Sequence, residues 1–205
     1  MVIDIKRIER NYKMNYPIMV NLDCKEITII GGGKIAYRKA KNFIDFGYKV
    51  KVISLDFDER FKDIENKTEL IRDEYKEEYI ENSFIVVAAT NNRDVNKSIG
   101  MYCAEKNKLA NVVDDPTLSS YIVPATIKRG DLIIGVSTSG KSPSLASKIK
   151  KDLERVYDDS YEEYIQLLGE LRCKILKKYD DPVRKKQLLN EIINLNIEEL
   201  KKYTV

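Results

Sequence analysis

The chain has 205 residues, of which 43% are hydrophobic and 34% charged, and this composition describes a folded protein of one or two domains rather than a disordered one. Its 36 basic and 33 acidic residues leave a net charge of +3, which by itself does not indicate nucleic-acid binding. No run approaches the about 20 apolar residues that a membrane span needs. The chain has no histidine, so any acid–base chemistry falls to Asp, Glu, Lys, Tyr or Cys.

The first predicted elements form a strand–helix–strand unit. Residues 27–31 are a short β-branched run that enters a glycine turn, as a buried parallel strand does. A helix is predicted over residues 34–46, ended by Gly47, and a second strand over residues 50–54. Such a unit predicts a right-handed crossover between parallel strands.

The alternation of strands and helices continues along the chain. A charged stretch, expected to be exposed, precedes a weaker strand at residues 69–72, and residues 84–89 form a strong buried strand. A helix over residues 94–106 and a fifth strand over residues 109–113 follow. This order predicts an α/β fold, a Rossmann-like parallel sheet with helices on both faces.

The character of the chain then changes. Pro116 and Pro124 bracket an irregular passage, and residues 132–137 form one more predicted strand. A loop leads to a helix start with Ser142 as N-cap and Pro143 in the first helical position. Beyond it the chain is predicted to be helical, with a last helix that begins at Pro182 and carries an apolar stripe of Leu188, Leu189, Ile192, Ile193, Leu195 and Leu200.

The glycine turn fits the dinucleotide-binding pattern G-x-G-x-x-A. Gly31 permits the tight turn, Gly33 lets the backbone approach a pyrophosphate, and the small Ala36 lets the helix pack on the strand. Because the pattern follows a predicted strand and opens a predicted helix, it indicates dinucleotide binding, with phosphates facing the N–H groups of the helix start.

The ribose partner is less clearly marked. Ser54 ends the second strand and Asp56 follows two residues later. Asp56 would bind ribose hydroxyls, whereas Ser54 would tolerate a 2′-phosphate better than an acid would. The pattern therefore favours NAD over NADP only modestly.

Polar residues follow two more strands at the edge where open α/β sheets place ligands. Thr90 and Asn91 are equally well explained as ligand contacts or as a plain turn with a helix cap. Asp114 and Asp115 are equally well explained as an Asx pair that starts a loop, or as a carboxylate that accepts a proton beside a nicotinamide.

The cysteines and the N-terminus bear on the compartment. Cys24, Cys103 and Cys173 are far apart and form no CxxC pair, which favours free thiols in a reducing cytoplasm and predicts no metal site. Residues 1–16 carry scattered charges and no apolar signal core. We therefore expect a cytoplasmic protein.

Taken together, five segments resemble the siroheme-synthase-type precorrin-2 dehydrogenases in content and order. The resemblance covers about residues 14–155, and its combination of motifs is far more specific than the glycine turn alone. The segments are YPIMVNL at 16–22, IGGGKIAYRK at 30–39, AATN at 88–91, NVVDDP at 111–116 and VSTSGKSP at 136–143.

The resemblance implies oxidation of precorrin-2 to sirohydrochlorin, with NAD⁺ accepting the hydride. It implies a homodimer with a Rossmann-like domain over residues 1–115, a dimerisation segment over 116–155 and a helical domain over 156–205. It assigns catalysis to Asp114, and cofactor binding to the pairs Lys34-Ile35 and Leu55-Asp56, beside Gly31, Gly33, Thr90 and Asn91 of the patterns above.

Two alternatives stay open. Some members of this family also insert Fe²⁺ into sirohydrochlorin, and the lack of histidine does not exclude this because a carboxylate could assist it. The other alternative is a non-catalytic module that binds NAD or a tetrapyrrole, which would show tight binding without turnover.

Overall fold

Five parallel strands form the sheet that the sequence predicts. The computed structural model describes residues 15–205, so residues 1–14 of the segment predicted to lack a signal core lie outside the described part. The strand order is β3-β2-β1-β4-β5, as in a Rossmann-like fold. The strands are β1 (Ile27–Ile30), β2 (Val50–Ile53), β3 (Thr68–Ile71), β4 (Ile85–Ala88) and β5 (Leu109–Val112).

Two helices cover the two faces of this sheet. Helix α1 (Lys34–Asp45) packs Ala36, Ala40 and Ile44 against one face, and helix α2 (Arg93–Glu105) packs Ile99 and Cys103 against the other. Because both faces are covered, β1 and β4 are buried along their whole length, which explains their unbroken apolar runs. The predicted α/β fold is confirmed.

The charged stretch after β2 is not simply exposed, as the sequence suggests. It forms a 3₁₀-helix, Glu59–Lys67, with Phe61 and Ile64 buried in the core beside α1. The two residues are one 3₁₀ turn apart, so both face the core while the charged residues between them face solvent. Two shorter 3₁₀-helices, Glu77–Ile80 and Pro116–Leu118, lie in the connections that follow β3 and β5.

The chain divides into two compact units, one ending at Ile122 and the other running from Val123 to Val205. The second unit begins with an antiparallel hairpin of β6 (Ala125–Arg129) and β7 (Leu132–Val136). The sequence predicts β7 but misses β6, because only Ile127 of that strand is fully buried and its end is charged. The bounds of the three predicted domains remain predictions.

Four helices complete the second unit: α3 (Pro143–Val156), α4 (Ser160–Lys178), α5 (Pro182–Ile192) and α6 (Ile197–Lys202). The predicted start of α3 is confirmed, since Ser142 Oγ accepts a hydrogen bond from the Leu145 N–H at 3.3 Å. Within residues 15–205, no helix is both long enough and apolar enough to cross a membrane.

The prediction of one long last helix is wrong. The helix that begins at Pro182 ends at Ile192, and α6 starts afresh at Asn196, whose side chain and Glu199 form a reciprocal capping box. Local capping satisfies the backbone at the break, while Leu188, Ile192 and Leu200 still share one core with α4.

A polar network anchors the amino end of the sheet. Glu26 Oε1 accepts hydrogen bonds from Lys51 Nζ and Ser83 Oγ, both at 2.8 Å. Ser83 is buried and lies 2.7 Å from the hydroxyl of buried Thr28. Burial alone would raise the pKa of Glu26, but the hydrogen bonds from Lys51, Ser83 and Thr28 and the charge of Lys51 outweigh it, so the pKa lies below its ordinary value.

We expect Glu26→Gln to lower the free energy of unfolding by about 1 kcal/mol at neutral pH, because the buried hydroxyls and Lys51 lose a charged acceptor. A carboxyl whose pKa is lowered by folding stabilises the fold above its unfolded pKa, and this contribution is lost as the pH falls through the folded pKa. Urea denaturation near pH 7 and near about pH 3 checks this, and the difference from wild type should shrink at the lower pH.

The matched control is Glu69→Gln, which changes an exposed carboxylate on β3 and should leave stability unchanged at both pH values. Equal stability of Glu26→Gln and wild type at neutral pH would show that the network contributes nothing.

Candidate active site

An open cavity of about 1030 Å³ lies at the carboxyl edge of the parallel sheet. Its lining draws on segments that follow all five strands, the position at which open α/β folds bind ligands. Its volume is at the upper end of the ~300–1,000 Å³ typical of ligand pockets. The structure brings all eight residues predicted to bind cofactor to this one lining: Gly31, Gly33, Lys34, Ile35, Leu55, Asp56, Thr90 and Asn91.

The glycine turn joins β1 to α1. Gly31 has φ +115° and donates its N–H to Ile53 O at 2.8 Å, and a Cβ built on it would lie 2.3 Å from Ala89 O. Gly33 is the N-terminal cap of α1, and a Cβ there would meet no atom within 4 Å. Close packing therefore excludes a side chain at position 31, whereas the space beside Gly33 is open for a ligand.

Gly32 is a requirement that the sequence pattern does not reveal. A Cβ at this position would lie 2.0 Å from Asp56 O and 2.8 Å from Ser54 Oγ. The Gly32 carbonyl also accepts a hydrogen bond from the Asp58 N–H at 2.8 Å. The dinucleotide pattern treats this residue as free, and the only signal in the sequence is the run of three glycines.

The start of α1 can receive an anion. No side chain of residues 15–205 caps its first N–H groups, and its first turn contains no acidic residue. Uncapped N–H groups at the positive end of a helix bind phosphate. Lys34 and Ile35 are exposed beside them, so a charged and an apolar side chain flank the place where a pyrophosphate would lie.

Carboxylates surround the part of the cavity beyond β2 and β3. Among residues 15–205, the lining contains the carboxylates Asp56, Asp58, Asp73 and Glu74 and one cation, Lys34. Hydrogen bonds from Arg60 lower the pKa of Asp58 to about 2, so it is ionised at neutral pH. Ionised carboxylates accept hydrogen bonds from ribose hydroxyls and repel a further phosphate, which fits NAD better than NADP.

Asp56, the predicted ribose partner, is 94% exposed at its side chain. Arg72 Nη1, on the neighbouring strand end, donates to Asp56 Oδ1 at 3.2 Å and to Leu55 O at 3.1 Å. This contact holds the segment after β2 against the end of β3 and leaves the second Asp56 oxygen toward solvent or a ligand.

At the end of β4, residues of the turn and of the helix cap also line the cavity. Asn92, rather than Asn91, caps α2 by accepting from the Asp94 and Val95 N–H groups at 2.9 and 3.3 Å. The Thr90 hydroxyl lies 2.7 Å from Asn96 Oδ1 and 3.1 Å from the Asn92 N–H. Asn91 is exposed in the cavity lining.

The two aspartates after β5 have different surroundings. Asp115 Oδ1 accepts from the N–H and the hydroxyl of Thr117 at 2.9 and 2.6 Å, so it caps the following 3₁₀ turn, and these bonds lower its pKa. Asp114 is exposed, and its Oδ2 accepts from Asn96 Nδ2 at 3.1 Å. Within residues 15–205, its Oδ1 has no hydrogen-bond partner. Asp115 therefore acts as the Asx residue that starts the loop, whereas Asp114 has one oxygen that is not engaged in a hydrogen bond with residues 15–205.

Asp114 itself does not line the cavity at the carboxyl edge, the nucleotide cavity, whereas the preceding residue, Val113, does. Asn96 connects Asp114 to Thr90, which lines the cavity. Asn96 does not stand out in the sequence, because an asparagine near the start of a helix is ordinary. Within residues 15–205, no group of three or more His, Cys, Asp or Glu side chains is arranged to hold a metal ion.

Two family models match the chain. One, described as putative NAD(P)-binding, covers residues 18–125, and the second, described as sirohaem biosynthesis protein central, covers residues 129–155. The first includes the whole parallel sheet and the cavity. The second covers most of the hairpin and α3.

Curated relatives and a solved structure give the same picture. The chain is 34% identical to the precorrin-2 dehydrogenase of Priestia megaterium, over 87% of this chain and 89% of the relative. It is 32% identical to the precorrin-2 dehydrogenase of Methanosarcina barkeri, over 86% and 82%. It is 33% identical to siroheme synthase 2 of Pectobacterium atrosepticum, over 79% of this chain but only 36% of that relative.

The structure of SirC, a precorrin-2 dehydrogenase, superposes on this chain with a TM-score of 0.73. The two are 30% identical, and the match covers 92% of this chain and all of SirC.

Gly32→Ala and Gly33→Ala should separate the two demands on the turn. Gly32→Ala should lower the free energy of unfolding by about 2 kcal/mol or more, because its methyl group collides with the Asp56 carbonyl. Gly33→Ala should change stability by less than about 1 kcal/mol, since its backbone conformation suits any residue. It should still weaken NAD binding about tenfold or more, because the methyl group occupies the phosphate position.

Urea denaturation and titration calorimetry with NAD measure the two effects. If Gly33→Ala binds NAD as tightly as wild type, then Gly33 does not lie against the bound cofactor. If Gly32→Ala is as stable as wild type, then the turn can relax to accommodate a methyl group.

Proposed function

The chain belongs to the family of precorrin-2 dehydrogenases and siroheme synthases, and on that premise we infer that it oxidises precorrin-2 to sirohydrochlorin with NAD⁺ as the hydride acceptor. The observation that carries this function is that the likeness to precorrin-2 dehydrogenases spans nearly the full length of both proteins. It therefore includes the nucleotide cavity and the segment that follows it. The reaction belongs to siroheme biosynthesis.

The residues of the cavity fit the cofactor. Gly33 and the uncapped start of α1 would hold the pyrophosphate, Asp56 the adenosine ribose, and Leu55 and Ile35 would supply apolar contacts. Thr90 and Asn91 would contact the cofactor from the part of the cavity at the end of β4. When bound, NAD⁺ supplies the hydride acceptor, and the chain's own residues orient it and handle the proton.

Asp114 is the group proposed to take the proton. Oxidation of precorrin-2 removes a hydride and a proton, and a carboxylate at the carboxyl edge of the sheet can accept the second. The chain has no histidine to do so. Asp114 has one oxygen fixed by Asn96, whereas Asp115 is engaged in capping, and this contrast supports the assignment.

A homodimer is proposed from the second unit. Three apolar side chains of α3, Leu145, Ile149 and Val156, are 48%, 36% and 62% exposed, and their spacing places them along one face of the helix. In the part of the chain that the structure describes, β6 and β7 pair only with each other, and a two-stranded sheet gains stability from further packing. A second copy of the chain would cover both features.

A cytoplasmic location is proposed as well. All three cysteines are free thiols, and two of them, Cys24 and Cys173, are exposed. Exposed free thiols persist in a reducing compartment.

Asp114→Asn should lower kcat by about 100- to 10,000-fold, the usual contribution of a general base. The amide keeps the size of the side chain, so the melting temperature and the affinity for NAD should stay close to wild type. The assay supplies precorrin-2 and NAD⁺ and follows sirohydrochlorin and siroheme separately, with and without Fe²⁺. Siroheme formed from sirohydrochlorin and Fe²⁺ without NAD⁺ would reveal the additional chelatase activity.

The matched control is Asp115→Asn, whose amide oxygen still accepts the capping hydrogen bonds, so it should retain kcat and change stability by less than about 1 kcal/mol. Full activity of Asp114→Asn would overturn the role of Asp114. Tight NAD binding by wild type without any turnover of precorrin-2 would favour the non-catalytic alternative.

Leu145→Glu combined with Ile149→Glu should convert the dimer to a monomer at micromolar concentration, because it places two charges in an apolar interface. Size-exclusion chromatography with light scattering measures the mass. Lys151→Glu, an exposed change elsewhere on α3, should leave the dimer intact. A wild-type chain that elutes as a monomer would refute the proposed dimer.

A further inference from the structure

Asn96 is a fully buried amide in the first turns of α2, with 0% exposure. Its Oδ1 accepts from the Thr90 N–H at 3.1 Å and from the Thr90 hydroxyl at 2.7 Å. Its Nδ2 donates to Thr90 O and to Asp114 Oδ2, both at 3.1 Å. The side chain thus uses both donor hydrogens and both acceptor positions of a primary amide.

This set of partners fixes the orientation of the amide. The Thr90 N–H can only donate, so the oxygen of Asn96 must face it. The Thr90 carbonyl and the Asp114 carboxylate can only accept, so the nitrogen must face them. Of the residues similar in size, Asp lacks the donors and Leu lacks both functions, so either would leave buried or charged groups without partners.

We propose that Asn96 is a positioning residue for the reaction, which holds the Asp114 carboxylate in place and ties it to Thr90 in the wall of the nucleotide cavity. The inference rests on the proposed role of Asp114 as proton acceptor. An exposed aspartate on a loop otherwise samples several rotamers. A buried amide that bonds one of its oxygens restricts this choice and leaves the other oxygen for the substrate.

Asn96→Asp is the variant that tests the proposal. It preserves side-chain volume and an acceptor for the Thr90 N–H and hydroxyl, but it removes the donors to the Thr90 carbonyl and to Asp114 and places a second carboxylate beside the first. We expect kcat to fall about 10- to 100-fold, as for other small misplacements of a reacting group. KM for NAD should change less than about threefold, because Thr90 keeps its acceptor.

A double-mutant cycle separates positioning from a purely structural role. If Asn96 acts through Asp114, then Asn96→Asp should have no further effect on kcat in the Asp114→Asn background. If Asn96 only supports the fold, the fold-reductions in kcat caused by the two substitutions should multiply in the double variant. The control Ile99→Val, a buried change on the same helix, should lower stability without changing kcat.

Each outcome decides the proposal. Asn96→Asp with wild-type kcat, or an equal loss of kcat in both backgrounds, would overturn the positioning role while leaving Asp114 as the base. Full activity of Asp114→Asn alone would instead overturn the proposed role of Asp114 as proton acceptor, and with it this inference, while the oxidation of precorrin-2 itself would stand. If Asn96→Asp fails to fold, the same cycle is run with Asn96→Ser, which is neutral and smaller, and the same fold-changes are expected.

Discussion

The candidate site depends on one steric constraint, the close approach of three backbone segments at the carboxyl edge of the sheet. Gly31 lies against the Ala89 carbonyl, and Gly32 lies against the Asp56 carbonyl. Because neither glycine carries a side chain, the segments after β1, β2 and β4 can meet. The constraint ends at Gly33, where the space opens and α1 begins. The free N–H groups of the helix therefore face a cavity rather than a packed wall.

Much of the fold is readable from the sequence because its local and tertiary requirements agree. Strands buried on both faces show continuous apolar runs, and the cap at Ser142 uses a side chain beside the helix it starts. The features that were missed depend on contacts that local patterns do not contain. Strand β6 has a single fully buried residue, Ile127, and the Asn196 cap interrupts an apolar stripe that still serves one core.

The site was predictable in outline for the same reason. The rule that ligands bind at the carboxyl edge correctly gathers Thr90 and Asp114 into one neighbourhood. It could not separate Asp114 from Asp115, because only the bonds to Thr117 show which aspartate is a cap. Nor could it find Asn96, whose partners lie 6 and 18 residues away along the chain. Burial of a polar side chain is a tertiary property, and a single sequence does not report it.

A neutral amide beside Asp114 suits the proton-accepting role that we propose for this carboxylate. Other carboxylates beside the cavity are held by cations: Asp58 by Arg60, and Asp73 by Lys76, which together with Tyr79 lowers its pKa to about 2. A cation stabilises the ionised form strongly and makes a carboxylate a poor proton acceptor. A neutral amide fixes an oxygen through one hydrogen bond without placing a full positive charge beside it. Asn96 therefore holds one oxygen of the proposed proton acceptor, Asp114, through a neutral partner rather than through a cation.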